Sequence, residues 1–420
     1  MPDKPSLREA TKTWAKIGVL SFGGPAAQIA LMHREIVNDK KWLSENQFLN
    51  ALNFCMLLPG PEAMQLATYA GWRINGTLGG LIAGLLFVLP GAFFVALLAT
   101  IYAYFGDVPL INALFLGVKA TVVVIVIEAL LRVSKKALKT TSHYIIAAAA
   151  FIGIFFLNLP YPLIILGAAA VGFLGQPTTA ERTPTKAPQP FTQTLRTIAI
   201  WLVIWWAPIL IVDWIFGLEF LSQIAYFFSK LAVVTFGGAY AVLAYMAQDV
   251  VSTKEWLTAG QMMDGLGLAE TTPGPLILVT EFVGFMAGFK QAGITMAITA
   301  ASLTLWVTFA PCFLWIFAGA PYIEWIGAQP RLRGALTCVT AAVVGVILNL
   351  SIWFAVHVFF TTVTNINMGP VTLLKPELGS LNLLVVALTA LSGFLLLKRH
   401  WNVIYVLVIC ALLAAIPELF

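Results

Sequence analysis

The chain reads as an all-α integral membrane protein of two inverted-topology repeats, with broken or re-entrant helices at Gly-Gly-Pro and Pro-Gly-Pro motifs and about 13 membrane elements. Three observations predict this class. The 420 residues are 60% hydrophobic and only 10% charged, with a mean hydropathy of +0.90, far from the balance of a soluble domain. Gly76 to Gly106 carries no charge; this run is longer than the roughly 20 residues a helix needs to cross a hydrocarbon core, and unlike the alternating ~10-residue segments of a barrel. The third observation is a duplication. Phe22-Gly23-Gly24-Pro25 and Leu58-Pro59-Gly60-Pro61-Glu62 return as Phe236-Gly237-Gly238 and Thr272-Pro273-Gly274-Pro275 at a constant offset of 214 residues, with Trp42 matching Trp256 and Gln47 matching Gln261. Fifteen of the forty positions from Phe22 to Pro61 are identical in the second copy, as expected of an ancient repeat. Lys16 and Lys230 fall into the same register; farther on the offset slips by one, so that Tyr69-Ala70-Gly71-Trp72 matches Phe282-Val283-Gly284-Phe285.

The elements follow in order. Lys12 to Met32 is a short apolar segment broken at Gly23-Gly24-Pro25, His33 to Lys41 is a charged loop, and Asn46 to Trp72 is interrupted at Pro59-Gly60-Pro61. Broken backbone at membrane depth is tolerated only where protein or a wet cavity supplies partners, so both segments are expected to be re-entrant hairpins or broken spans. Apolar segments follow at Thr77 to Phe105, Leu110 to Leu131, Tyr144 to Leu157 and Pro162 to Leu174. Gln176 to Pro190 is a polar linker rich in Pro and Thr. Ile198 to Phe216 is an added helix whose tryptophans, Trp201, Trp205, Trp206 and Trp214, are expected at the water interface. The second copy runs through Leu221 to Met246, Leu257 to Ala287, Ala292 to Ala318, Leu336 to Phe360, Leu383 to Leu397 and Val403 to Ala415. The expected organisation is an N-terminal membrane repeat over 1–175, a cytoplasmic linker over 176–196, a connecting helix over 197–217 and an inverted repeat over 218–420.

Charge placement supports the inversion. Arg132, Lys135, Lys136 and Lys139 follow one element of the first half, whereas the matching loop, Thr361 to Pro370, is uncharged. Between the last two helices the pattern reverses: Leu157 to Pro162 is uncharged and Lys398-Arg399-His400 is basic. A cytoplasmic N-terminus puts Arg132 to Lys139, Arg182 to Arg196, Arg331 with Arg333, and Lys398 to His400 inside, leaving Lys375 as the exception. The polar Met1 to Lys16 has no apolar core with a cleavage site, so no removable signal peptide is expected. Cys55, Cys312, Cys338 and Cys410 stand singly in apolar surroundings and read as core residues.

Half-helix N-termini in paired repeats aim amides and positive dipole ends at an anion. Gly23, Gly24, Pro25, Gly60, Gly237, Gly238 and Gly274 are therefore candidates for an anion cradle, with Thr271 and Thr272 beside the second break. Tight turns and close helix contacts would use the same small residues. Lys119 lies deep in an apolar segment and is the candidate cation, with a buried partner carboxylate as the competing reading and Thr340 at its mirror position. Glu62 and Glu270 flank the breaks; a carboxylate beside a partly wet apolar cavity can exchange protons near neutrality, and helix capping or pairing with a lysine is the alternative. Asp264 and Glu281 are lesser candidates. Glu128 reads as an i,i+4 partner of Arg132, and Lys16 and Lys230 as snorkelling side chains. The four histidines lack metal-ligand spacing, and no GxSxG, HExxH or phosphate-binding Gly-Lys-Ser loop is present, so no catalytic residue, metal or cofactor is expected and uphill transport would draw on an ion gradient.

Ser21-Phe22-Gly23-Gly24-Pro25, Leu58-Pro59-Gly60-Pro61-Glu62-Ala63, Gln65-Leu66-Ala67-Thr68-Tyr69, Thr235-Phe236-Gly237-Gly238-Ala239-Tyr240-Ala241-Val242 and Leu268-Ala269-Glu270-Thr271-Thr272-Pro273-Gly274-Pro275 resemble the long-chain chromate ion transporter family. The resemblance extends over nearly the whole chain. It implies chromate efflux across a bacterial inner membrane, driven by the proton-motive force, by two homologous halves of opposite orientation. The partners it implies are chromate or a sulfate-like oxyanion, protons, the lipid bilayer and, as a candidate, a second copy in a homodimer; no nucleic acid is expected. Transport of sulfate or another oxyanion without protons is the alternative. A membrane-embedded enzyme is a third reading, which would need a redox cofactor site or an Asp/His cluster that the sequence lacks.

Overall fold

The structure is a computed structural model that describes residues 5–106, 108–175, 191–217, 219–236, 238–323, 329–368 and 371–418. The expected linker, Gln176 to Pro190, lies outside these residues. The described chain is predominantly helical. Five helices, Glu62–Phe105, Pro109–Ala137, Thr192–Ile215, Leu276–Tyr322 and Pro330–Phe359, are long and apolar enough to cross a membrane. Others are shorter: α1 (Leu7–Leu20) has 14 residues and α6 (Thr141–Phe155) has 15, about 21 to 22 Å of rise against a core of about 30 Å.

Two compact units are present, each drawn from both halves of the sequence. The first comprises Met1–Ala99, Pro177–Ala239 and Thr272–Leu332. It holds α1, α2 (Gly24–His33), α3 (Glu45–Cys55), most of α4 (Glu62–Phe105), α8 (Phe191–Phe216), α9 (Glu219–Val234) and α12 (Val279–Gly319). Both α4 and α12 are helical hairpins rather than single rods. Asn75 and Gly76 (φ 67°) leave helical geometry in α4, and Ala292 and Gly293 (φ 73°) do so in α12. The left-handed φ at each turn is open to glycine at little cost. The limbs then pack at backbone distance: a Cβ on Gly71 would sit 2.4 Å from Gly79 O, and one on Gly288 would sit 2.6 Å from Met296 O. Such small-residue contacts drive helix association in lipid.

Two tryptophans of α8, Trp201 and Trp205, depart from the interfacial expectation. Trp201 stacks on Phe313 with centroids 5.4 Å apart, and Trp205 Nε1 donates to Ser229 Oγ at 3.2 Å. Both rings are buried; Trp214 alone is largely exposed, at 86%. Their faces fill gaps against α12 and α9, which outweighs the interfacial preference of the indole.

The second unit comprises Thr100–Gln176, Tyr240–Thr271 and Arg333–Phe420. Its helices are α5 (Pro109–Ala137), α6, α7 (Tyr161–Leu174), nearly all of α10 (Ala239–Gln248), α11 (Ala259–Thr271), α13 (Pro330–Phe359), α14 (Leu383–Gly393) and α15 (Val403–Ala415). Packing here is reciprocal between the copies. First-copy α5 rests on second-copy α14 and α15: a Cβ on Gly117 would lie 2.1 Å from Cys410 O, and Thr121 Oγ1 bonds Ser392 Oγ at 3.0 Å. Second-copy α13 rests on first-copy α6 and α7, with Gly345 against Ala147 O at 2.1 Å and Gly172 against Gly334 O at 2.2 Å by the same measure.

Two local features differ from expectation. Helix α2 continues as a π-helical turn, Arg34–Asp39, where a charged loop was expected. The wide turn keeps Glu35 and Ile36 buried and closes through Trp42 N–H on Ile36 O (2.8 Å), with Lys41 at φ 54°. The copy does the same at Asp249–Thr253, where Trp256 N–H donates to Val250 O at 3.0 Å and Glu255 has φ 53°. The uncharged loop from Thr361 forms a two-stranded antiparallel hairpin, β1 (Val363–Met368) with β2 (Val371–Pro376), in register Val363 to Pro376 and Met368 to Val371. It is the departure from an all-α chain, and its β-branched residues suit a strand.

Backbone-to-backbone packing makes a checkable contrast. Gly345→Ala is expected to destabilise the protein by about 1 to 3 kcal/mol through overpacking and to lower its melting temperature in detergent. Gly167→Ala, where a Cβ meets nothing within 4 Å, should leave it unchanged.

Candidate functional site

All four motif breaks belong to the first unit. Helix α1 ends at Ser21, whose hydroxyl turns back to Ile17 O at 2.6 Å; Thr235, 214 residues later, turns back to Leu231 O at the end of α9. Each helix thus ends in a carbonyl that has lost its helical partner. The other break of the opposite copy satisfies it. Gly60 N–H donates to Thr235 O at 2.8 Å, and Gly274 N–H donates to Ser21 O at 2.9 Å. Donors and acceptors in the two bonds are register equivalents, so each copy supplies the other with the same bond.

Glycine is required at both donors. Gly60 has φ 119° and Gly274 has φ 89°. A Cβ at Gly60 would meet Gln65 Nε2 at 2.8 Å and Cys312 Sγ at 3.0 Å; one at Gly274 would meet Leu278 Cδ1 at 2.9 Å. The amides of Gly60 and Gly274, expected in the anion cradle, are therefore already engaged in holding the breaks together.

Two buried glutamines complete the junction. Gln28 Nε2 donates to Gly274 O at 2.6 Å and to Ser21 O at 3.2 Å, and Gln65 Nε2 donates to Pro59 O at 2.6 Å. In both, the Oε1 atom is buried without a protein hydrogen-bond partner. Gln28 was not picked out from the sequence, although a lone amide in an apolar segment four residues past a Gly-Gly break is the signal that marks it.

The Gly-Gly side of the junction is open. Gly23 (φ 84°) precedes α2 and gives no side-chain cap, and Pro25 occupies its first turn. A Cβ on Gly24 or Gly238 would meet nothing within 4 Å. Uncapped first-turn amides beside open space suit an anion. Gly237 lies outside the described residues. Glu62 opens the first turn of α4, and Thr272 is buried.

In the second unit, Gly267 sits against Val118 and brings α11 onto α5. Lys119 Nζ is then 3.0 Å from Asp264 Oδ1, and Tyr102 Oη donates to Asp264 Oδ2 at 2.7 Å. Asp264 is 2% exposed. Lys119 is thus a paired cation. Tyr240 Oη donates to Glu270 Oε1 at 2.9 Å, and Thr271 Oγ1 turns back to Leu268 O at 2.8 Å. Tyr102 and Tyr240 were missed as polar partners, because a tyrosine in an apolar run reads as packing until its hydroxyl is placed. Glu128 pairs with Arg132 at 2.6 Å over one helical turn. In the first unit Lys16 reaches the buried Glu35 at 2.6 Å.

Comparison with known proteins agrees with this architecture. The chain is 32% identical over 311 residues, 71% of each chain, to the chromate transport protein of Pseudomonas aeruginosa. It is 30% identical over 350 residues, 81% of this chain and 83% of the relative, to a probable chromate transport protein of Synechococcus elongatus. A third relative, the uncharacterized transporter YwrA of Bacillus subtilis, is 38% identical over 109 residues that make up 61% of its length, and so is less than half as long as this chain. No solved structure matches. The chromate transporter family matches residues 8–173 and 222–415, segments that begin at the spacing of the two copies, and the protein is a multi-pass membrane member of that family.

Proposed function

We propose that the protein exports chromate across the bacterial inner membrane in exchange for protons, by alternating access to a site at the broken helices of two inverted repeats. The observation that carries the reading is the reciprocal pair of bonds, Gly60 to Thr235 and Gly274 to Ser21: it joins the four breaks into two matched cross-copy pairs within one unit, and half-helix ends brought together from paired repeats are where carrier proteins bind an ion. Chromate is a tetrahedral dianion. Amides at Gly23 and Gly24 and at the Gly237-Gly238 break, with the dipole of α2 behind Pro25, would hold its oxygens, and Thr271 and Thr272 flank the opposite break. Gly60 and Gly274 act as the frame. Lys119, oriented by its ion pair with Asp264, is the cation that balances the anion, and Glu62 and Glu270 carry protons. The N-terminus faces the cytoplasm, where the basic loops collect.

A second reading is exchange of sulfate or a related oxyanion without protons. It is favoured by the character of the junction, since backbone amides read tetrahedral shape and charge, which chromate and sulfate share.

Reconstituted vesicles separate the two. Chromate flux in purified proteoliposomes should rise several-fold when a pH gradient is imposed and should be inhibited by sulfate only weakly; flux indifferent to the gradient favours the second reading. Lys119→Ala should lose transport and cost about 3 to 5 kcal/mol, because it strands the buried Asp264 carboxylate. The double variant Lys119→Met, Asp264→Leu removes both charges and should recover the folded protein but not the flux. Transport by that folded double variant would take Lys119 out of the anion's path.

A further inference from the structure

A buried carboxylate outside the site described above has no protein partner for one of its oxygens. Glu281 is 2% exposed on the first limb of the α12 hairpin, and its Oε2 makes no hydrogen bond. It lies within the apolar span Leu276–Tyr322, where an ionisable side chain is costly and marks function by default. Among the described residues, the charged side chains on its own helix and the helices packed against it are Glu62 and Arg73 on α4, Arg196 and Asp213 on α8, Glu219 and Lys230 on α9, and Lys290, and no ion pair joins any of them to Glu281.

Two threonines face the same place. The limbs of the hairpin run antiparallel from Gly293, with Gly288 against Met296 O and Gly284 against Thr304 Oγ1, where a Cβ would lie 2.3 Å away. Gly284 is one turn from Glu281 on the same face, so the next rung sets Glu281 level with Thr304 and Thr308. The hydroxyls of both threonines are buried and without a partner. This is unusual in the chain: Thr13, Thr68, Thr121 and Thr340 all satisfy theirs on the carbonyl four residues back. Three buried oxygens, one of them a carboxylate's, thus lie on the facing limbs of one hairpin without a protein hydrogen-bond partner.

The first copy lacks this arrangement. Tyr69 matches Phe282, so the equivalent of Glu281 is Thr68, whose hydroxyl is satisfied by Met64 O at 3.0 Å. The duplication explains the frame of the hairpin and not the carboxylate.

We infer that Glu281, with the hydroxyls of Thr304 and Thr308, binds a monovalent cation, H+ or Na+, whose gradient drives transport. One carboxylate balances one positive charge, and the two neutral hydroxyls complete an oxygen shell too weakly charged for a divalent ion. The coupling role rests on the transport reading above; the binding role does not. Glu281 then joins Glu62 and Glu270 in the coupling, and differs from Glu270 in lacking a tyrosine partner such as Tyr240.

The test uses purified full-length protein and N,N′-dicyclohexylcarbodiimide, which modifies protonated carboxyls in apolar surroundings, with the labelled residue mapped by mass spectrometry. Glu281 should be labelled in the wild type and the label lost from that peptide in Glu281→Gln. Protection by NaCl but not by choline chloride identifies Na+; labelling indifferent to Na+ identifies H+. Thr308→Val, which keeps the carboxylate, should shift the half-point of protection or of the pH dependence of labelling about tenfold, the worth of one hydrogen bond to a charged group. A Glu281 that resists labelling throughout pH 5 to 9, or an unchanged half-point in Thr308→Val, overturns the site. In proteoliposomes, Glu281→Gln should lose the response of chromate flux to an imposed ion gradient; a full response overturns the coupling role. Wild-type vesicles that move no chromate would overturn the transport reading instead, leaving the labelling result to stand.

Discussion

The structure depends on two hydrogen bonds that neither copy can make alone. Interrupting a helix inside an apolar medium strands backbone groups whose burial costs about 1 to 3 kcal/mol each when unmade, and water is not at hand to rescue them. Here the carbonyl stranded at Ser21 receives Gly274 N–H, and the one at Thr235 receives Gly60 N–H. Each copy carries both a donor break and an acceptor break, and each is completed by the other. A single copy would leave both unsatisfied, which is why the duplication and the breaks belong to one device.

The same reciprocity recurs where no break is involved. In the second unit, α5 and α13 each lie on the short hairpin of the other copy, and the approach is so close that Gly117, Gly345 and Gly172 have no room for a methyl group. In lipid there is little hydrophobic gain from bringing two apolar helices together, so contact at backbone distance supplies the association. Exchange of partners between copies spreads that contact over the whole chain.

Much of this frame was legible in residue order. The offset of 214 located the breaks, the glycines that needed left-handed backbone and the buried Lys119, because duplication and charge in an apolar run are one-dimensional signals. What glycine does at each break was not. Gly60 and Gly274 share their motif type and are enclosed, whereas Gly24 and Gly238 stand beside open space, and only the fold separates a structural amide from an available one. Partners distant in sequence were hidden likewise: Lys119 with Asp264, Tyr102 with Asp264 and Gln28 with Gly274 span 145, 162 and 246 positions. The strands from Val363 escaped because the Thr- and Asn-rich stretch Thr361 to Pro370 has the composition of a loop between helices, and the pairing with Val371 to Pro376 is seen only in the fold. Trp201 and Trp205 of α8 were misplaced because interfacial preference is an average, and packing on Phe313 and a hydrogen bond to Ser229 decide the particular cases.

A symmetric frame by itself has no reason to favour one direction of movement, since whatever one copy binds the other binds equally well. Under the proposed function, direction and coupling reside where the copies differ. Two of the many such places set a charged or ionisable group in one copy against a threonine in the other. Lys119 stands opposite Thr340, whose hydroxyl is satisfied by Leu336 O, and Glu281 stands opposite Thr68, satisfied by Met64 O. At both positions one copy holds a threonine bonded back to its own helix, which is neutral and complete, and the other holds an ionised or ionisable group. The cation is in the first copy and the unpartnered carboxylate in the second. Backbone geometry, which both copies share, builds the frame; side-chain charge, which they do not share, distinguishes its two ends.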